Sequence, residues 1–375
     1  MLPDATLPLL RRTPLLPGES LPSLVERLAQ LNHYGGTAIL TWLCQTPPAC
    51  QGRPDRVGRP LYGATFLRLA HLTQLPVTEL LAASAHYFTP ALTPTAAAPT
   101  TADWLATPNQ PRVLPGLVRL RLRPTTAAQY CPRCLQHACY HQRHWWPAPV
   151  TVCQQHHCLL VDRCPGCQRP ITMAAIVCGR CPTCQAELSA APAVSVADDS
   201  LGLHAQNLIW AWFGLAPGLP WDTAQHIPAP RLALRFRLLE LLYRRLLGCR
   251  EAWTTWPTPL PGLDEQATHI HARTRRLVTP EAYYLYRAAF AALLDWPQGL
   301  YRYLDAYSGR HTAAAATTHR TKRLGILQHD WLAPAWRAAD NDLCIQTFVE
   351  YLRDRRIPST RALVNHLKDV TWFVH

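Results

Sequence analysis

Tyr130-Cys-Pro-Arg-Cys134, Val152-Cys-Gln-Gln-His-His-Cys158, Cys164-Pro-Gly-Cys-Gln168 and Cys181-Pro-Thr-Cys-Gln185 are the stretches that decide how this chain is read. Ten of the fourteen cysteines fall between Cys131 and Cys184. A Cys-x-x-Cys turn brings two thiolates to one side of a tight knuckle. Two knuckles, or one plus a Cys-x-x-His, close a tetrahedral zinc shell. The ligands divide into two sets. Cys131, Cys134, Cys153 and His156 make a three-cysteine, one-histidine site. Cys164, Cys167, Cys181 and Cys184 make an all-cysteine site. The second set is chosen because both of its knuckles then read Cys-Pro-x-Cys-Gln. Two alternatives stay open: Cys178 in place of Cys184, and His157 in place of His156. Cys139 and Cys158 are left as free thiols or packing groups. A catalytic zinc keeps one position open for water, whereas both sets here are filled by side chains, so the expectation is two structural zinc ions.

Outside this region the pattern is helical. From Glu19 to Asn32 the apolar residues Leu21, Leu24, Val25, Leu28 and Leu31 follow helical spacing. Ser20 is the expected cap, Pro22 falls in the first turn, and Gly35-Gly36 is the expected stop. Thr65 to Ser84 reads as two helices around Thr73-Gln-Leu-Pro76, a helix-turn-helix pattern. Its second helix carries Thr78 and Glu79 and no arginine, which disfavours base reading. Residues 89–112 read as a linker. Arg119, Arg121 and Arg123 alternate with leucines like an edge strand with one basic face. Trp145 and Trp146 are expected to pack on the metal knuckles. Beyond Pro192, helices are expected at Leu201–Phe213, Arg231–Leu247, Pro280–Leu294 and Trp296–Tyr307, with Asp198-Asp199 capping the first. Phe348 to Leu367 reads as a second helix-turn-helix. Its arginines, Arg353, Arg355, Arg356 and Arg361, are the better candidates for phosphate contact.

The fold class is therefore mainly α, with two small structural zinc modules in the middle. The expected segments are 1–128 with a helix-turn-helix, a tandem zinc region at 129–190, and a helical domain at 191–375. A net charge of +13, carried almost wholly by arginine, favours a polyanionic partner. No apolar run reaches membrane-spanning length, and zinc-type cysteine spacing points to a reducing cytoplasm. A phosphate-binding Gly-x-x-x-x-Gly-Lys-Ser loop is absent, and no Asp-Asp-Glu set stands out. The expectation is a protein without an active site.

One family shares this layout. Tyr130, Cys131-Pro-Arg-Cys134-Leu135, Tyr140, Arg143, Trp145, Val150-Thr-Val-Cys153, His156, Leu159-Leu160, Asp162-Arg163 and Cys164-Pro-Gly-Cys167 occur in one order and spacing. Together they resemble the zinc region of the TniQ/TnsD family, the target-selection proteins of transposons that carry an AAA+ regulator. Pro17-Gly-Glu-Ser-Leu-Pro-Ser-Leu-Val-Glu-Arg-Leu-Ala29 resembles the family's opening helix, with Glu19, Ser23, Arg27 and Leu28 in place. The resemblance covers about the first half of the chain. It implies a non-catalytic adaptor linking a target-recognition complex to an AAA+ regulator. The recognition complex it implies is a Cascade-like CRISPR effector with its guide RNA, with target DNA nearby and the adaptor often a homodimer. The alternatives are a TnsD-like protein that reads DNA sequence itself, a zinc-dependent nucleic-acid enzyme such as a nuclease, and a zinc-finger transcription regulator.

Overall fold

The computed structural model describes residues 8–34, 63–88, 100–106, 127–215, 239, 279–294, 297–302, 304–305 and 350–355. Among these residues the fold is helical; β-pairing is confined to isolated bridges. The chain divides into two compact units. One is built from Met1–Ala233 and Arg276–Tyr283, the other from Leu234–Arg275 and Tyr284–His375.

In the first unit, helix α1 spans Leu21–Leu31. Ser20 caps it by accepting from the Ser23 amide, and Pro22 lies in its first turn, where a missing N–H costs nothing. Leu21, Leu24, Val25 and Leu28 are buried. Each contributes about 1.5–3 kcal/mol relative to an exposed side chain. The helix stops earlier than Gly35-Gly36. Asn32 is the C-cap, its side-chain amide donates to the Leu28 carbonyl at 2.9 Å, and His33 takes a left-handed φ of 58°. The asparagine satisfies a terminal carbonyl that the glycine signal alone does not account for.

The segment ahead of α1 is held down by charge and by backbone. Glu19 accepts from the Leu16 amide at 3.0 Å, the Ser23 hydroxyl at 2.9 Å and Arg27 at 2.7 Å. Its side chain is fully buried. Burial raises its carboxyl pKa, and the Leu16 amide and the Arg27 charge oppose that rise. Arg27 also reaches the Thr13 hydroxyl and the Pro14 carbonyl, so one ion pair pins 13–16 to α1. Further out, Leu9 is buried and its amide donates to the Leu72 carbonyl at 2.9 Å.

Helices α2 (Gly63–Thr73) and α3 (Val77–Ala83) form the helix-turn-helix, with Gln74 at a left-handed φ of 60° in the turn. A 3-10 turn follows at Ala85–Phe88. Helix α4 covers Thr101–Ala106, inside the stretch read as a linker. Thr100 and Asp103 bond reciprocally, backbone to side chain, at 2.7 and 3.2 Å. This Thr-x-x-Asp box is a local helix start that outweighs the proline- and alanine-rich composition around it. The basic stretch Arg112 to Arg123 lies outside the described residues.

Short helices α5 (Pro132–Leu135) and α6 (Met173–Cys178) belong to the cysteine region, and α1 packs on α6. Helix α7 runs Ser200–Trp212. Asp199 caps it, as expected, and also accepts from the Tyr283 hydroxyl at 2.6 Å. Phe213, just past its end, meets Phe88 edge-on, with ring centroids 5.6 Å apart. Helix α8 runs Thr279–Leu294. In its first turn the Thr279 amide donates to Asp162 at 3.1 Å, and the Thr279 hydroxyl donates to Gln129 at 3.0 Å.

In the second unit the described residues after α8 are helical at 298–302, 304–305 and 350–354. Of Arg231–Leu247 only Leu239 is described; it is helical and buried. Tyr301 and Tyr351 are buried and meet with tilted rings, centroids 5.4 Å apart, so these tyrosines serve as core. Arg355 pairs with Asp305 at 2.6 Å in an exposed ion pair. Arg353 is helical and exposed, while Arg356, Arg361 and the other residues of the second helix-turn-helix beyond 350–355 lie outside the described residues.

Candidate metal centres

Three knuckles in this region share one backbone pattern. In each, the first cysteine's amide donates to the carbonyl five positions on: Cys153 to Cys158 at 2.8 Å, Cys164 to Arg169 at 2.9 Å, Cys181 to Ala186 at 2.9 Å. In each, the residue after the second donor turns back with positive φ: His157 at 45°, Gln168 at 57°, Gln185 at 62°. In each, a bridge closes the base: Val152 with Leu159, Arg163 with Pro170, Arg180 with Glu187. His157 therefore occupies the hinge that glutamine fills elsewhere, and His156 takes the ligand position of Cys167 and Cys184.

The first set comprises Cys131, Cys134, Cys153 and His156. The four donor atoms lie within 4.8 Å of one another. His156 Nδ1 is 3.3 Å from Cys134 Sγ, 3.5 Å from Cys131 Sγ and 3.6 Å from Cys153 Sγ. Cys134 and Cys153 sulfurs are 3.7 Å apart. A zinc ion with Zn–S of about 2.3 Å and Zn–N of about 2.0–2.1 Å sets tetrahedral edges of about 3.8 Å for S···S and about 3.6 Å for S···N. The separations in this set are close to those edges. The Cys134 hydrogen bond holds the Cys131 thiol low and, in return, the Cys131 sulfur pushes Cys134 and Cys153 up, so within the cluster one sulfur carries the charge that its neighbours share.

The second set comprises Cys164, Cys167, Cys181 and Cys184, again within 4.8 Å. Cys164 and Cys184 are 3.4 Å apart, and Cys167 and Cys181 3.7 Å. The Cys184 backbone amide is the largest influence pulling the Cys181 thiol down to about 6. Cys178 lies apart from this set on the last turn of α6, where its sulfur accepts from Gln30 at 3.1 Å. After it the chain reverses through Gly179 at φ 70°, where a Cβ would sit 2.8 Å from Cys139 Sγ; only glycine fits. Both donor sets suit zinc, and both are filled by protein, which is the arrangement of a structural site.

The rest of the region holds these knuckles against the N-terminal helices. The Ser20 amide donates to the His141 carbonyl at 2.9 Å, and the Arg143 amide to the Gly18 carbonyl at 2.8 Å. Ser20 Oγ and His141 Nδ1 are 2.9 Å apart. His141 is fully buried, and burial holds its imidazole down to about 3. Trp145 is buried between the rings of His141 and His144, as its size predicts. Gln129 donates to the Trp145 and Val150 carbonyls, each at 2.7 Å. Gln129 has no sequence signal, and Arg143, although part of the family resemblance, has none for its contacts, because their partners are distant in the chain.

Residues 10–160 match the TniQ family model. The chain carries a TniQ domain. No curated protein matches the chain. The TniQ match spans α1, the helix-turn-helix and all four donors of the first set; the second set lies beyond it. The match supports a transposition-associated target-selection role. Among the described residues no helix is long and apolar enough to cross a membrane.

Proposed function

We propose that this chain is a non-catalytic adaptor that selects insertion sites in DNA transposition. It joins an AAA+ regulator to a target-recognition complex, in our reading a Cascade-like RNA-guided effector. The observation that carries this reading is the outward surface of α3. Thr78 and Glu79 are its exposed side chains, and neither is basic. A helix seated in a major groove also needs cations against the flanking phosphates, and this surface offers none. A helix surface without a cation and with one carboxylate, Glu79, fits protein docking better. The carboxylates Asp162 and Asp199 are committed to capping bonds, which supports a role without catalysis. We assign one zinc to each donor set, as architecture.

A TnsD-like reading, direct contact with DNA, draws on the exposed Arg163, Arg169 and Arg180 beside the second set. The discriminating experiment is co-purification of the tagged chain with candidate regulator and effector subunits. Stable capture of both supports the adaptor. Capture of neither, with sequence-selective retention on target DNA, favours the direct reader.

A further inference from the structure

A fifth sulfur, that of Cys158, borders the first set on the Cys131 side, outside the four donors that all lie within 4.8 Å of one another. Cys158 Sγ lies 3.5 Å from Cys131 Sγ and is fully buried. That separation is close to the edge of about 3.8 Å between two thiolates sharing a zinc. The knuckle pattern gives no backbone reason for a cysteine here: the equivalent positions carry Arg169 and Ala186. Cys158 is also well anchored. Its carbonyl accepts from Cys153, and it bridges to Ser195. His156, by contrast, rides the turn between the two anchored ends and is partly exposed.

We infer that Cys158 is a second candidate for the fourth position of the first metal site, a thiolate that takes the metal when His156 leaves it. A shell of three cysteines and one histidine and a shell of four cysteines are both stable zinc geometries. In the exchange the Zn–Nδ1 bond breaks and a Zn–Sγ bond forms to Cys158. The thiol proton passes to the freed imidazole or to water. Cys131, Cys134 and Cys153 stay in place.

This inference rests on the reading of the first set as a zinc site, and the experiment separates the two. Zinc per chain is measured on the full-length wild type, His156→Ala, and His156→Ala/Cys158→Ala, with the cobalt-substituted charge-transfer spectrum alongside. A wild type holding fewer than two zinc ions overturns the metal reading itself. With two in the wild type, the inference requires two in His156→Ala, an all-sulfur cobalt spectrum, and one in the double variant. His156→Ala holding one zinc, like the double variant, overturns it.

A second measurement covers an insoluble His156→Ala. Cys158→Val keeps the buried volume and removes the donor. Zinc transfer from this variant to a chelator should be about tenfold faster than from wild type, within the range known for support of metal ligands. An unchanged rate overturns the inference.

Discussion

Arg143 sits over the Tyr87 ring, its guanidinium carbon 4.1 Å from the ring centroid, while Nη1 donates to the Ala82 carbonyl at 3.1 Å. One side chain from the cysteine region thus closes the C-terminal end of α3 and covers the 3-10 turn behind it. The cation also faces the negative end of the helix. Arg143→Ala should destabilise the first unit by about 1–3 kcal/mol, combining a lost cap and a lost cation–π contact. Arg143→Lys should recover less than half, since an ammonium cannot stack and donate in that plane. Urea unfolding midpoints of the three proteins measure this.

Gly202 sits in the first turn of α7, where alanine is normally the better helix former. Here a Cβ would collide with the Tyr283 hydroxyl and come within 2.5 Å of Asp199 Oδ2. Gly202→Ala should therefore destabilise by roughly 2 kcal/mol or more, against a propensity gain of about 1 kcal/mol. Adding Tyr283→Phe removes the colliding oxygen and should return part of the loss. Thermal unfolding of the single and double variants is the check.

His141 and His144 give the first unit a defined acid sensitivity. Their folded pKa values are about 3 and about 4, held down by burial and, for His144, also by Arg143. The unfolded imidazole titrates near 6.5. On acidification the unfolded chain takes up protons first, so stability is full above pH 6.5 and falls as pH drops toward 4. His141 alone should account for a loss on the order of 2 kcal/mol between pH 6.5 and 5. Ring proton shifts should show both imidazoles neutral at pH 5, and His141→Asn should flatten the slope of stability against pH over that window.

Metal removal should unfold the middle of the chain. The region 127–190 buries Trp145, Trp146, Tyr130 and a set of aliphatic residues, but no disulfide joins its knuckles, so a metal in each donor set is what would tie them together. Elemental analysis should give about two zinc ions per chain. Cys164→Ser should reduce this to one and open backbone amides around 164–188 to hydrogen exchange. A Cys164→Ser protein with unchanged zinc content and protection would show that Cys164 is not a ligand.

Features fixed by near neighbours are legible in the sequence. The Ser20 and Asp199 caps, the two donor clusters and the break between α2 and α3 each depend on a few adjacent residues. Helix α4 escapes a reading by composition although Thr100-x-x-Asp103 announces it, because the proline-rich surroundings outweigh the capping box there. The stop of α1 at Asn32 escapes as well, because a double glycine nearby is the stronger conventional signal. Arg143 on Tyr87, Gln129 on the Trp145 and Val150 carbonyls, and Cys158 beside Cys131 are not legible. Each joins groups whose meeting is decided only when the knuckles fold back on the helices. Arg355 reads as a phosphate contact for the same reason: its partner Asp305 is 50 residues away.

The central claim is that this chain holds other machinery at a target and does not itself read the target's sequence. Fluorescence anisotropy of the purified, zinc-loaded chain with labelled target DNA at physiological salt tests it most directly. The account predicts micromolar or weaker binding that is indifferent to sequence and falls steeply with salt, the behaviour of a basic surface without base contacts. Nanomolar binding that discriminates the target from scrambled DNA would contradict it.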